Sequence, residues 1–278
     1  MRLHLLLLAS LVLALWATSC STGPKGPQPG TPAFYWGAAK EMYHAGNYIK
    51  ANDDVMEITR TENEFTAKAR AMQTALAAGL TQAYMELADT NDAGAKANRN
   101  TPMPFRKDAS TMRSLASTAA LEMAEAIHAS IEKDNDPNVV LAFEYPTGSA
   151  SQPAGLKKIA GGMLLQESEK ESLQTAMVQR GVVRTICRLA GNPDDTAKTV
   201  EMFKAPEVKV TRETWRFATA KLLYDASELY GSNKLDQPNR LKLLCDEAMR
   251  ALQSIPQTKD TKALATKIQA TLKKIRAT

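Results

Sequence analysis

The residues of this 278-residue chain that could do bond or metal chemistry are few and widely spaced. Cysteine and histidine occur at Cys20, Cys187, Cys245, His4, His44 and His128. Zinc sites need such residues close together, with about two to four residues between paired cysteines, and a catalytic thiol needs a partner histidine. Because no such spacing is present, we expect no metal ligands, no cofactor and no catalytic cysteine.

Two polar stretches are further candidates for chemistry. The stretch Asp134-Asn135-Asp136-Pro137-Asn138 has the oxygen-rich start of a calcium loop. Such a loop requires Gly at its sixth position and Glu at its twelfth, where this chain has Val139 and Tyr145. The Gly148-Ser149-Ala150-Ser151 stretch follows no predicted strand and precedes no catalytic histidine, as a nucleophilic serine would require. We therefore predict that residues 134–138 form a polar turn and that residues 148–151 belong to a flexible loop. We predict no enzyme activity.

The two cysteines beyond the N-terminus, Cys187 and Cys245, fall within apolar segments of helical period. In an oxidising compartment they would form a disulfide if their Cα atoms lay within about 7 Å of each other. Otherwise they are two buried thiols that act as small apolar groups. The sequence leaves both possibilities open.

The N-terminus has the pattern of a targeting signal. Residues 3–17 form an apolar run after Arg2, shorter than the roughly 20 residues of a membrane-spanning helix. Small residues at 17–19 then precede Cys20, a pattern that resembles a bacterial lipoprotein signal, although Ala17 stands where that family usually has Leu. The resemblance implies cleavage after residue 19 and acylation of Cys20, by palmitate among other chains. An ordinary secretory peptide and an uncleaved anchor are the alternatives.

The residues after Cys20 predict a spacer. Residues 21–31 contain three Pro and three Gly, which cannot continue a helix. We therefore divide the chain into a signal peptide (1–19), a flexible tether (20–31) and a helical domain (32–278), with a possible subdivision near 134–155. The resemblance implies an envelope location, and Ser21 in place of Asp favours the outer membrane, with the domain facing the periplasm.

Hydrophobic periodicity predicts an all-α fold of antiparallel helix pairs. The predicted helices are 32–45, 48–60, 62–89, 109–132, 153–165, 167–190, 194–204, 211–230, 236–254 and 258–276. Thr31-Pro32 predicts a capped start for the first helix, and residues 61–64 fit a capping box for the third. Residues 90–107 look rich in loop, and residues 138–143 are either a short helix or a buried strand. Gly79 and its alanine-rich surroundings predict a close helix approach.

The first predicted helix pair resembles a tetratricopeptide repeat, a family that pairs two helices over 34 residues. The matching residues within 36–58 are Ala39, Tyr43, Gly46, Asn47, Tyr48 and Ala51. Residues 211–256 are a weaker match. The resemblance implies a stacked α-solenoid with a groove for a partner, in which Tyr43 and Asn47 are candidate partner-binding residues. An irregular helical bundle is the alternative fold.

The charge distribution argues against a nucleic-acid partner. The formal net charge is +5, and residues 257–278 alone account for it, so the rest of the chain is balanced. We expect a lipid-anchored adaptor that binds an envelope protein or peptide in assembly, secretion or export. The alternative is a lipoprotein associated with solute uptake that binds a small molecule in a helical cavity. The sequence does not indicate an oligomeric state.

Overall fold

A computed structural model describes residues 26–193 and 195–276 and confirms the all-α fold. Ten α-helices and one two-stranded sheet occur in these residues. The predicted signal peptide and Cys20 lie outside the described residues, as do residues 21–25 of the predicted tether. In the described ranges, no helix has the length and apolar character needed to cross a membrane.

The first two helices form an antiparallel pair around a tight turn. They are α1 (Pro32–His44) and α2 (Tyr48–Thr59). As predicted, Thr31 caps α1, because its hydroxyl oxygen accepts a hydrogen bond from the backbone N–H of Phe34. Gly46 has φ 73°, a left-handed conformation that favours glycine, and the side chain of Asn47 caps α2 by accepting from the N–H of Lys50.

Two long helices follow, α3 (Thr66–Ala97) and α4 (Met103–Lys133). Each is nearly as long as a whole 34-residue repeat, so this part of the chain does not consist of such helix pairs. The predicted loop over 90–107 is wrong, since only residues 98–102 connect the two helices. Asn91 and Gly94 are weak helix formers, but both are buried, and Gly94 packs against Ile159 and Phe105. Tertiary packing therefore outweighs local propensity here.

The predicted capping box at residues 61–64 is also wrong. The helix begins at Thr66, and Asn63 instead shapes the turn by accepting a hydrogen bond from the N–H of Phe65. Thr61 and Glu64, the two residues that the pattern pairs, therefore precede the helix and do not cap it, and Glu64 is exposed. Glu62, in the same stretch, binds the guanidinium of the buried Arg70 at 2.6 and 2.8 Å.

The rest of the described chain consists of shorter elements. Its elements are β1 (Asn138–Leu141), α5 (Ala154–Ala160), α6 (Glu167–Leu189), α7 (Thr196–Met202), β2 (Val208–Thr211), α8 (Arg212–Ser227), a 3₁₀ turn (Glu228–Tyr230), α9 (Pro238–Gln253) and α10 (Lys259–Arg276). Strand β1 pairs antiparallel with β2, Leu141 opposite Val208. The segment that the sequence left as helix or strand is thus a strand. No strand was predicted at 208–211, and its partner β1 lies far away in the sequence.

Helix α3 lies at the centre of the fold. Twenty of its 32 residues are buried, and it packs against α2, α4, α5 and α6. It meets α6 in backbone contact, because a Cβ on Gly181 would lie 2.2 Å from the carbonyl oxygen of Gly79. The predicted close approach at Gly79 is therefore confirmed. One continuous cluster of buried apolar side chains extends from Trp36 to Ile268.

The two cysteines in the described residues are unpaired. Cys187 and Cys245 are free thiols, and both are buried. The sequence left open a disulfide or two buried thiols, and the structure shows two buried thiols.

Candidate functional site

A groove runs between α3, α6 and α8, with a volume of about 500 Å³. Helix α3 supplies most of one wall. The residues on this wall are Ala78, Thr81, Gln82, Met85, Glu86, Asp89, Thr90 and Ala93. Ala78, Gln82, Met85, Asp89 and Ala93 follow one another at three and four positions, so they share one face of the helix. We call this feature the central groove.

The central groove has an apolar floor. Met123 of α4 and Leu222 of α8 are almost fully buried beneath it. Met85 is half-buried, and its flexible thioether side chain faces the same space. A floor of this composition accepts an apolar side chain of a ligand and adapts to its shape.

Charged side chains form the rim, and most of them are paired. Glu86 binds Arg180, and Arg184 approaches the same carboxylate to 3.9 Å. Arg188 Nη1 lies 3.2 Å from Asp225 Oδ2. Burial raises the pKa of Asp225, and Arg188 opposes that shift. These ion pairs hold the walls of the groove in place. Because positive and negative charges are paired, little net charge remains to favour a cationic or an anionic ligand.

One donor in the groove is unused. The Nε2 atom of Gln82 is buried and has no hydrogen-bond partner among the described residues. The hydroxyls of Thr81 and Thr90 donate to backbone carbonyls of α3, so they are already satisfied. A buried amide donor without an acceptor costs free energy that a ligand carbonyl would recover. Gln82 therefore marks the place where the groove recognises a polar group.

The groups that line the central groove can bind a ligand. The described residues that line it include no histidine, cysteine or serine. Within residues 26–193 and 195–276, no three His, Cys, Asp or Glu side chains come together as a metal site would need. The lining combines an apolar floor, one amide donor and a fixed charged rim. Such a lining suits a ligand that has an apolar part and a carbonyl group.

The structure places Tyr43, a predicted partner-binding residue, in the core. Only 2% of its surface is exposed, and its ring packs against Tyr48 and Phe143, with centroids 5.0 and 5.4 Å away. Its hydroxyl donates to the carbonyl of Glu144 at 3.0 Å, as the hydroxyl of Tyr48 does to that of Thr147 at 2.8 Å. Burial raises the pKa of Tyr43 well above its usual value. This ring anchors the 134–155 segment and also lines a separate groove of about 390 Å³, so a role of Tyr43 in partner binding stays a prediction.

Asn47, the other predicted partner-binding residue, lies on the surface. It is exposed, and its side chain caps α2. Neither Asn47 nor Tyr43 lines the central groove. A role of Asn47 in partner binding stays a prediction.

Sequence reasoning missed the central groove because its walls come from helices far apart in the chain. The only local signal was Gly79 in an alanine-rich helix, which marks the crossing with α6 beside the groove. Gln82 and Met85 follow it at three-residue steps, but nothing in the sequence shows which face of α3 stays uncovered.

Comparison with protein-family models, with curated proteins and with solved structures finds no match to this chain. Function is therefore inferred from the geometry of the groove and from the sequence patterns.

Proposed function

We propose that this protein is a lipid-anchored adaptor of the bacterial envelope that holds a segment of a partner protein or peptide in the central groove. The observation that carries the proposal is the buried Nε2 donor of Gln82, which has no hydrogen-bond partner among the described residues and lies above an apolar floor. A peptide supplies both complements, a side chain for the floor and a backbone carbonyl for the amide.

The shape of the groove favours a protein segment over an enclosed metabolite. Binding hot spots are apolar anchors in desolvated pockets, surrounded by contacts that exclude water. Met85, Met123 and Leu222 provide the pocket for such an anchor, and the paired charges of the rim surround it. The volume of about 500 Å³ lies within the range of ligand pockets in general, so the shape of the groove, and not its size, favours the protein segment.

The proposed anchor places this groove near a membrane. Acylation at Cys20 would leave residues 20–31 between the lipid and α1. A tether of that length spans at most about 40 Å when extended. The proposed location is the periplasmic face of the outer membrane, and the proposed partners are therefore envelope proteins.

Site-specific crosslinking in the native envelope tests the groove. A photo-reactive amino acid in place of Met85 should capture one discrete polypeptide, and the same probe at Leu243, which is 46% exposed on α9, should not. In the same envelope, Met85→Glu should weaken capture by a probe at Ala93, on the same wall of the groove, at least tenfold, because it buries a charge against the floor. Leu243→Glu, which adds the same charge elsewhere, should leave capture unchanged.

Two outcomes would overturn the groove proposal. One is the same set of crosslinked proteins from positions 85 and 243. The other is recovery of a metabolite, with no protein, bound to the purified chain and lost in Met85→Glu.

Labelling with radioactive palmitate tests the anchor separately. The wild-type chain should incorporate label and the Cys20→Ala variant should not. Label that persists in Cys20→Ala would contradict acylation at this residue.

A further inference from the structure

The end of α3 that lies far from the tether carries an unusual surface. The tether leads into α1, and Trp36 of α1 stacks on Phe65 at the start of α3, with ring centroids 6.1 Å apart. Helix α3 has 32 residues and is therefore about 48 Å long. Its final residues and the loops beside them thus lie about that far from the point where the tether joins.

Two loops meet at this far end. The connection between α3 and α4 joins the segment after α5, since Asn98 Nδ2 donates to the carbonyl of Gly162 at 3.0 Å. Asn98 also accepts a hydrogen bond from the N–H of Thr101 at 3.0 Å, which fixes the first loop. We call this end, comprising residues 96–106 and 161–164, the tip.

The tip presents the most exposed large apolar side chains of the described residues. Met103 is 65% exposed, Met163 is 56% exposed and Leu164 is 47% exposed. Met103 begins α4, whereas Met163 and Leu164 follow α5, and the Asn98–Gly162 hydrogen bond joins the two segments. Single exposed apolar residues are ordinary, but three gathered at one end of the molecule indicate a contact surface.

A cationic pocket of about 760 Å³ lies at the same end of α3, and one of its lining residues, Pro102, directly precedes Met103. Its basic lining residues are Lys96, Arg99, Arg106 and Arg113, and its one acid is Asp92. Asp92 pairs with Arg113, whereas Lys96, Arg99 and Arg106 form no ion pair with a described residue. The Nε atom of Arg113 is buried and has no partner among the described residues.

The other acids of this end do not neutralise the pocket. Asp108 and Glu167 both lie close to Lys170, at 3.0 and 3.7 Å. The pocket therefore keeps an excess of positive charge, and arginine forks match the oxygens of a phosphate group.

We propose that the tip docks on an anionic lipid surface, with a lipid phosphate in the cationic pocket and Met103, Met163 and Leu164 in the interface. Cations behind exposed apolar side chains are the combination that binds such a surface. An acidic protein would need a complementary apolar surface of its own, and free phosphate would leave the three apolar side chains in water. The tip and the proposed lipid anchor would hold both ends of α3 to one bilayer.

The test uses the full mature chain reconstituted in vesicles, with an environment-sensitive dye on Leu164→Cys. Cys187 and Cys245 are buried, so the new thiol is the reactive one among the described residues. The dye should shift to shorter wavelength in vesicles that contain phosphatidylglycerol and should not shift in vesicles of phosphatidylcholine alone. The matched control is Val200→Cys on α7, which is 40% exposed and should not respond to either vesicle.

Removing charge from the tip should reverse the response. Arg99→Gln combined with Arg106→Gln should weaken docking roughly 30-fold, since two cations near an anionic surface are lost. Lys262→Gln combined with Lys267→Gln, which removes two cations from α10, should leave the shift intact. High salt should reduce the shift as the variant does.

Three results would overturn the proposal. One is no difference between the two vesicle types, and another is an equal shift at Val200→Cys. The third is binding of inorganic pyrophosphate in the pocket without any dye response to vesicles, which would identify a small-anion site. Attachment of the chain to vesicles reports the Cys20 anchor separately, so failure of the tip and failure of the anchor are distinguishable.

Discussion

The two ends of α3 use arginine in opposite ways. Near its start, the Arg70 side chain is 3% exposed, and its guanidinium lies 2.6 Å from Glu62 and 3.1 Å from Asp134. At its other end, Arg99 and Arg106 are exposed and form no ion pair with a described residue. Burial with full pairing makes an arginine part of the fold, whereas exposure without pairing leaves its charge available to a ligand.

A second arginine near Asp134 is also buried but forms fewer hydrogen bonds. Arg216 of α8 is 3% exposed, and its Nη2 donates to the carbonyl of Ser130 at 2.8 Å. Its Nε and Nη1 have no partner among the described residues. Burial, with the neighbouring Arg212, lowers the pKa of Arg216 to about 10, and Asp134 opposes that shift. The comparison therefore has three cases: a paired buried cation, a poorly paired buried cation and an exposed cation.

The largest effect is expected for the paired buried arginine. Arg70→Met should lower the free energy of unfolding by about 3 to 5 kcal/mol, because it leaves the carboxylate of Asp134 partly buried without its cation. The midpoint of thermal unfolding should fall by roughly 10 °C. Lys133→Met is the control, since Lys133 also binds Glu62 at 2.8 Å but is 56% exposed. It should cost less than about 1 kcal/mol, and equal losses in the two variants would contradict the role of burial.

A much smaller effect is expected for the poorly paired arginine. Arg216→Met should change the free energy of unfolding by less than about 1 kcal/mol, because an apolar side chain of similar volume removes a desolvated charge that has only one hydrogen bond. Chemical denaturation of this variant beside Arg70→Met measures the contrast. A loss as large as that of Arg70→Met would mean that the charge of Arg216 is needed by Asp134.

The pH dependence of stability should separate the two acids on Arg70. Burial raises the pKa of Asp134, whereas hydrogen bonds from Lys133 and Arg70 lower the pKa of Glu62. Stability from a carboxyl with a raised folded pKa is present below its unfolded pKa and is lost as pH rises through the folded value. Stability from one with a lowered folded pKa is present above its unfolded pKa and is lost as pH falls through the folded value.

The stability that each of the two acids contributes should therefore change with pH in opposite directions. On acidification from neutral pH to about pH 4, the wild-type chain should gain stability relative to Asp134→Asn and lose stability relative to Glu62→Gln. Urea denaturation at several pH values measures both differences. If both stability differences changed in the same direction with pH, the folded-state pKa values of both carboxyls would be shifted in the same direction.

Local patterns in the sequence predicted much of the fold. The cap at Thr31, the turn at Gly46 and Asn47 and the close approach at Gly79 depend on residues near one another, and the structure has all three. The end of α3 was missed because the burial of Gly94 depends on Phe105 and Ile159, which the helix meets only after folding.

The candidate sites were harder to predict for the same reason. The resemblance to a tetratricopeptide repeat placed Tyr43 in the correct helix. It did not predict that Tyr43 is buried beneath the 134–155 segment, which lies about 100 residues further along the chain. The central groove and the tip each combine segments that are distant in sequence. Composition did not indicate the tip either, because the charge excess of the whole chain is accounted for by its last residues.

The smallest effect on stability is expected at the tip. Arg99→Gln combined with Arg106→Gln should leave the free energy of unfolding within about 0.5 kcal/mol of the wild-type value, because exposed side chains without partners contribute little to folding. The same variant should lose the response to anionic vesicles, so a change in binding would appear without a change in fold. A stability loss comparable to that of Arg70→Met would mean that these cations hold the loop between α3 and α4 in place. The contrast between the two ends of α3 would then be one of position only, because both ends would use arginine to maintain the structure.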